Sequence, residues 1–199
     1  MCACASAPPK RVEPQCSADA NIVLAGQEDV FAAAGCLTIQ SLTIRTGVPL
    51  DLSALGKLQI IRGDLRVGPT VGVDNLALPE LQSAGAITIA SNHDLHGATF
   101  AKLVSARSVT VEGNPAMTTL VMPALGKVGE TLTVRANGDL EIVELSSLVT
   151  VGGPLVIADH PDLTLLELGK LERAGSVTLE NTGAVDANIV DAVRSKAAN

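Results

Sequence analysis

The sequence predicts a mainly β chain folded as a parallel β-helix, a solenoid of about seven turns of 22–23 residues with a short capping helix at either end. Three observations carry the prediction. Seven segments, starting at Ser41, Asp64, Ala86, Ser108, Thr131, Pro154 and Ser176, align without gaps over their first 22 positions. A fixed period of this size marks stacked supersecondary units. Five columns of the alignment are apolar in every segment. The second and fourth alternate around a polar third, as in a strand with one buried face. The tenth reads Leu50, Val73, Leu95, Met117, Leu140, Leu163 and Val185, and the fifteenth and eighteenth are equally apolar. Finally, hydrophobic residues make up 47% of the chain, yet its only aromatics are Phe31 and Phe100, so the interior is aliphatic. One turn cannot cover its own apolar stripe. Stacked turns cover one another, each strand pairing with its equivalent about 4.8 Å away.

Residues 1–15, MCACASAPPKRVEPQ, are small, polar and proline-containing and read as a flexible leader; the folded domain is expected over residues 16–199. The leader has no apolar stretch, so it is not an intact signal peptide. A cysteine followed by small residues and a proline-rich tether resembles the start of a mature bacterial lipoprotein. That reading makes Cys2 and Cys4 the lipidation candidates, and an incidental cysteine pair in a tail is its alternative.

The segment GQEDVFAAAGC predicts a short helix from about Glu28 to Ala34, ending at Gly35. Within the repeats the seventh column reads Gly47, Thr70, Asn92, Asn114, Asn137, His160 and Thr182. Asparagine tolerates left-handed backbone and bonds to nearby main chain, so three in succession predict an amide ladder. Gly63, Gly85, Gly129, Gly152 and Gly175 stand just before the following strand, where a tight corner is expected. Glu112 with Arg135, and Lys57 with Glu80, are one turn apart and placed to pair. The last segment runs into DANIVDAVRSKAA, a helix with Asp186 as N-cap and Ile189, Val190 and Val193 as its apolar stripe.

Composition also bounds function. A net charge of -7 argues against nucleic acid, whose phosphates need a basic patch. No apolar run approaches the roughly 20 residues of a membrane span, which leaves a lipid anchor as the route to a membrane. His93 and His96 fall on a loop without a third ligand, and His160 lies about three turns away, too far to share a zinc ion. All three are expected to be solvated loop side chains, with no metal and no cofactor. Asp51, Asp74, Asp94, Asp139, Glu141 and Asp162 recur after the first strand of each turn. Without a calcium-loop motif they read as solvated turn formers. No nucleophile stands beside a base, and Lys and Arg are scattered, so no enzyme is expected.

What remains is the outward face of the long sheet, built from the third and fifth columns. It is flat and polar, and it offers Arg45, Arg66, Thr88, Thr110, Glu112, Thr133 and Arg135 as the candidate binding face. The arginines are its only residues of the type that anchors interfaces. Two alternatives share the fold: a carbohydrate-active β-helix enzyme, and an ice-binding β-solenoid using the rows of Ser and Thr, which Arg66 and Val156 interrupt.

The opening CSADANIVLAGQEDVFAAAGCLTIQSLTIRTG resembles that of receptor L domains: Cys, short strand, helix, then a second Cys before the first long strand. Later turns such as LQSAGAITIASNHDL and LVTVGGPLVIADHPDL are similar to L-domain turns, and the resemblance covers about 90% of the chain. It implies a right-handed β-helix related to leucine-rich repeats, and a disulfide between Cys16 and Cys36 holding the N-terminal cap in an oxidising compartment. Two buried free thiols in a cytosolic protein are the alternative. It also implies a non-enzymatic binding or structural module at the cell surface or in the periplasm, as in bacterial surface lipoproteins. The partner would be an unidentified protein or glycan of the envelope.

Overall fold

The computed structural model describes residues 16–183 and 185–196; Cys2 and Cys4 lie outside them. The chain winds into a β-solenoid of about seven turns with a short helix near each end. All strand pairs are parallel and join each turn to the next. The larger sheet has eleven strands. Its rungs run from Asn21–Leu24 through Ser41–Ile44, Leu65–Val67, Ser83–Ala90 and Ser105–Glu112 to Leu132–Arg135, Thr150–Ala158 and Arg173–Glu180. The second sheet stacks Asn75–Ala77, Gly97–Thr99, Thr119–Val121, Ile142–Glu144 and Leu165–Glu167.

The apolar columns face one continuous interior. Leu95, Met117 and Leu140 are all fully buried, as are Leu42, Leu65, Ile87, Val109, Leu132 and Leu155, while Val177 in the last turn is half-buried. At the first turn Leu52 takes the interior place expected for Leu50, which is only half-buried. Two further buried columns emerge. Leu76, Ala98, Leu120, Val143 and Leu166 line the second sheet, and Ile61, Ala84, Ala106, Val128, Val151 and Ala174 begin the long strands.

Helix α1 (Gln27–Ala32) closes the N-terminal end. Its Asp29 carboxylate accepts the backbone N–H groups of Ala25 and Gly26, both at 2.9 Å, and Val30 is buried beneath it. Cys16 and Cys36 form a disulfide across 20 residues. Closing a loop of that length stabilises by about 3 kcal/mol through the unfolded chain. Cys36→Ser is expected to lose about that much in a urea titration, and the wild type with reductant should match it.

The expected amide ladder is present and fully buried. Thr70 Oγ1 donates to Asn92 Oδ1 (2.7 Å), Asn92 Nδ2 to Asn114 Oδ1 (2.9 Å), and Asn114 Nδ2 to Asn137 Oδ1 (2.9 Å). Each amide also reaches a main-chain carbonyl of the preceding turn: Val67, Ile89 and Val111. The left-handed residue is not the asparagine but the one before it: Ser91 (φ 59°), Gly113 (66°), Ala136 (53°), Asp159 (62°) and Asn181 (48°). That backbone twist turns the next side chain inward, where its amide has to be satisfied.

The glycines also differ from expectation. Gly85, Gly152 and Gly175 sit inside continuous strands, and none of them has positive φ. The corner exists, since Gly85 and Ala86 both separate the inward-facing Ala84 and Ile87. The need for glycine comes from the neighbouring turn: a Cβ on Gly85 would strike the Gly63 carbonyl, and one on Gly152 that of Gly129. Helix α2 (Ala187–Arg194) ends the fold. The Asp186 carboxylate accepts the Asn188 N–H at 2.7 Å, and of the predicted stripe Val193 is buried, Val190 half-buried and Ile189 exposed.

Candidate functional site

The third column forms one straight row on the larger sheet. Thr43, Arg66, Thr88, Thr110, Thr133, Val156 and Thr178 are successive register partners. Strand spacing places Arg66 and Arg135 three rungs, or about 14 Å, apart. Thr88 and Thr110 fill the two rungs between them, Thr133 lies on the strand of Arg135, and all three are half-buried. Arg135 pairs with Glu112 at 3.5 Å, as their spacing predicts. Glu80 does not turn to Lys57; both its oxygens lie 2.8 Å from Lys102 on the following turn. Arg45 is exposed just past its strand and joins no ion pair among the described residues.

The row ends in a polar recess of about 460 Å³ at the N-terminal turns. Asn21, Gln40, Ser41 and Thr43 supply amides and hydroxyls, and Asp64, Arg66 and Arg107 the charges. Asp64 is the hub. It accepts Arg66 Nη2 at 2.9 Å and Arg107 Nη2 at 3.0 Å. Arg107 lies 43 residues further on, two turns away. It spans the intervening turn where Gly85 and Ala86 carry no side chain long enough to block it. Both arginine side chains stay more than half exposed, at 64% and 55%. A guanidinium carries five N–H donors, so each arginine keeps several free while the shared carboxylate fixes its direction. The recess can therefore meet a ligand rich in hydroxyls or carbonyl oxygens with groups already oriented.

The hydrogen bond from Arg66 is the main cause holding the Asp64 carboxyl below the usual aspartate range. Partial burial opposes it, and the Ala86 N–H and the charges of both arginines reinforce it. A carboxylate with a depressed native pKa adds stability that is complete above its unfolded value, about 3.9, and is lost as pH falls through the native value. The contribution of Asp64 is thus intact at neutral pH and fades only in acid. Followed by carbon-detected NMR, its carboxyl should titrate below ordinary aspartates, and Arg66→Ala should move the midpoint up.

The histidines divide. His93 and His96 are exposed and pair with Asp94 (2.6 Å) and Asp74 (2.7 Å). His160 corrects the expectation of a solvated loop side chain: it is fully buried at the end of the ladder. Its Nδ1–H donates to the Asn137 carbonyl at 3.0 Å, and its Nε2 has no partner among the described residues. Its column outweighs its polarity, because that position is buried in the four preceding turns, at Thr70, Asn92, Asn114 and Asn137. Asp51 acts as a turn former, accepting the Ser53 N–H at 2.9 Å, whereas Asp94 reaches the preceding turn and accepts the Gly72 N–H at 2.9 Å. Among the described residues no three His, Cys, Asp or Glu side chains converge as a metal site, and no helix is long and apolar enough to cross a membrane.

The sequence reading includes Arg66 but misses Asp64 and Arg107. The available signal was the glycine column itself. The twenty-second column reads Arg62, Gly85, Arg107, Gly129, Gly152 and Gly175, so Arg107 is a long side chain set among glycines. No family model, curated protein or solved structure matches the chain.

Proposed function

We propose that this chain is a non-enzymatic binding module of the receptor L-domain type, exported to the cell envelope, whose polar sheet face takes a glycan or a polar protein surface. The observation that carries this reading is the pair of exposed arginines fixed by one shared carboxylate at the end of a flat hydroxyl-lined face. Vicinal hydroxyls of a sugar match such mixed donors and acceptors, and fixed groups bind without a large ordering penalty. The Cys16–Cys36 disulfide is compatible with an extracellular location, and a lipid at Cys2 or Cys4 would tether the module.

Binding to a panel of envelope polysaccharides and proteins tests the reading. Arg66→Ala and Arg107→Ala should each weaken capture about tenfold or more, the scale of a lost charge-assisted hydrogen bond. Capture that survives a combined Arg45, Arg66 and Arg135 replacement by alanine rejects the face. Shortening of a polysaccharide that disappears in Asp64→Asn would replace the binding reading with an enzymatic one.

A further inference from the structure

The two sheets end differently at the C-terminal turn. The last strand of the larger sheet, Arg173–Glu180, receives partners from the terminal segment. Ala174 N–H donates to the Lys196 carbonyl at 3.0 Å, and Arg194 Nη2 to the Leu179 carbonyl at 2.7 Å. The last strand of the smaller sheet, Leu165–Glu167, is its outermost rung and has no backbone hydrogen bond to α2 among the described residues. Helix α2 therefore leans on one sheet and stands off from the other.

A cleft of about 600 Å³ fills the space between them, within the size range of sites for small organic ligands, about 300–1,000 Å³. Its walls are Leu165, Leu166, Leu168 and Leu171 from the last turn, and Ile189 and Val193 from α2. Leu165 and Ile189 are 41% and 38% exposed, so the apolar lining opens to solvent. The rim is charged. Lys170 and Lys196 are exposed and join no ion pair among the described residues; Glu167 is the one carboxylate on the lining. Two ammonium groups against one carboxylate leave the mouth net positive on a chain of net charge -7.

We infer that this cleft binds a single-chain anionic amphiphile, a long-chain carboxylate whose tail lies among the leucines and whose head sits between Lys170 and Lys196. An alkyl chain brings no polar group to be stranded against the aliphatic walls. The lysines choose the sign of the head, and their stems extend the apolar surface toward it. A second copy of the chain fits less well, because a two-fold contact would set the two lysines against their own equivalents. A partner strand finds only three residues of edge on which to pair.

Calorimetry on the full chain with dodecanoate below its micelle concentration tests this. Dodecanol and dodecyltrimethylammonium serve as neutral and cationic heads on the same tail. The expected result is one dodecanoate per chain, with the cationic head bound about tenfold more weakly. The surface double variant Lys170→Glu/Lys196→Glu should invert that preference, and Ala192→Trp, which fills the cleft, should abolish binding of all three. Circular dichroism verifies folding of each variant, and should Ala192→Trp not fold, the lysine pair still decides. Several outcomes overturn the inference: no saturable dodecanoate binding, equal affinity for the three heads, or dodecanoate binding unchanged in folded Ala192→Trp or in the lysine double variant. So would sedimentation showing a dimer that Ala192→Trp separates, or recruitment to phosphatidylcholine vesicles that free dodecanoate does not compete away.

Discussion

Asn114→Ala is expected to lower the unfolding free energy by about 4 kcal/mol, which for a chain of this size is a fall of roughly 10 °C in melting temperature. The side chain is fully buried. Its Oδ1 accepts the backbone N–H and side-chain Nδ2 of Asn92, at 3.1 and 2.9 Å. Its Nδ2 donates to the Ile89 carbonyl and to Asn137 Oδ1, at 3.1 and 2.9 Å. Alanine removes all four bonds and admits no replacement, and each group left unsatisfied costs roughly 1–3 kcal/mol. Asn114→Asp keeps the shape and the acceptors but loses both donors and buries a charge. It should be worse at neutral pH than alanine and should recover partly in acid, where the carboxyl takes up a proton. A loss below about 1 kcal/mol in Asn114→Ala would mean that the ladder merely accompanies the fold.

Gly152→Ala should be of similar size for a different reason. The added Cβ would run into the Gly129 carbonyl of the preceding turn, which is main chain and cannot swing aside. Relief requires the strand Thr150–Ala158 to move off its neighbour, beside a register shift already present between Val151 and Pro154. Overpacking of this kind costs about 3 kcal/mol or more when backbone has to yield. Gly47→Ala is the control, because nothing lies within 4 Å of its Cβ position and its φ is not positive. It should stay within about 0.5 kcal/mol of the wild type. Equal melting temperatures for the two variants would contradict the close approach of turns.

The parts of this fold legible in the sequence are those where one column recurs unbroken. Leu42 to Val177, and Leu58 to Val193, repeat an apolar residue every 22 or 23 positions, and the structure buries or half-buries each of them. The second sheet was hidden because its column is mixed. It holds Leu76, Leu120, Val143 and Leu166, but also Ala98, and Ser53 and Asn188 occupy it at the ends, where the 3₁₀ turn Ser53–Leu55 and α2 replace the strand. The carboxylate–arginine hub was hidden because its partners are two periods apart, while column reading compares neighbouring turns. Arg107 reaches Asp64 only because the turn between them is bare. The burial of His160 stood in the seventh column all along, but the chemistry of an isolated imidazole drew it to the surface.

The disulfide has a mechanical consequence. A stack in which each rung holds only its neighbours unwinds from whichever end is weaker. At one end Cys16 is welded to Cys36, so traction from that side meets a covalent knot before the first rung yields. At the other, α2 is seated by the buried Val193 and by the Arg194 hydrogen bond to the Leu179 carbonyl, with no covalent tie among the described residues. Pulled from its tail, the molecule should peel rung by rung toward the knot, in one direction.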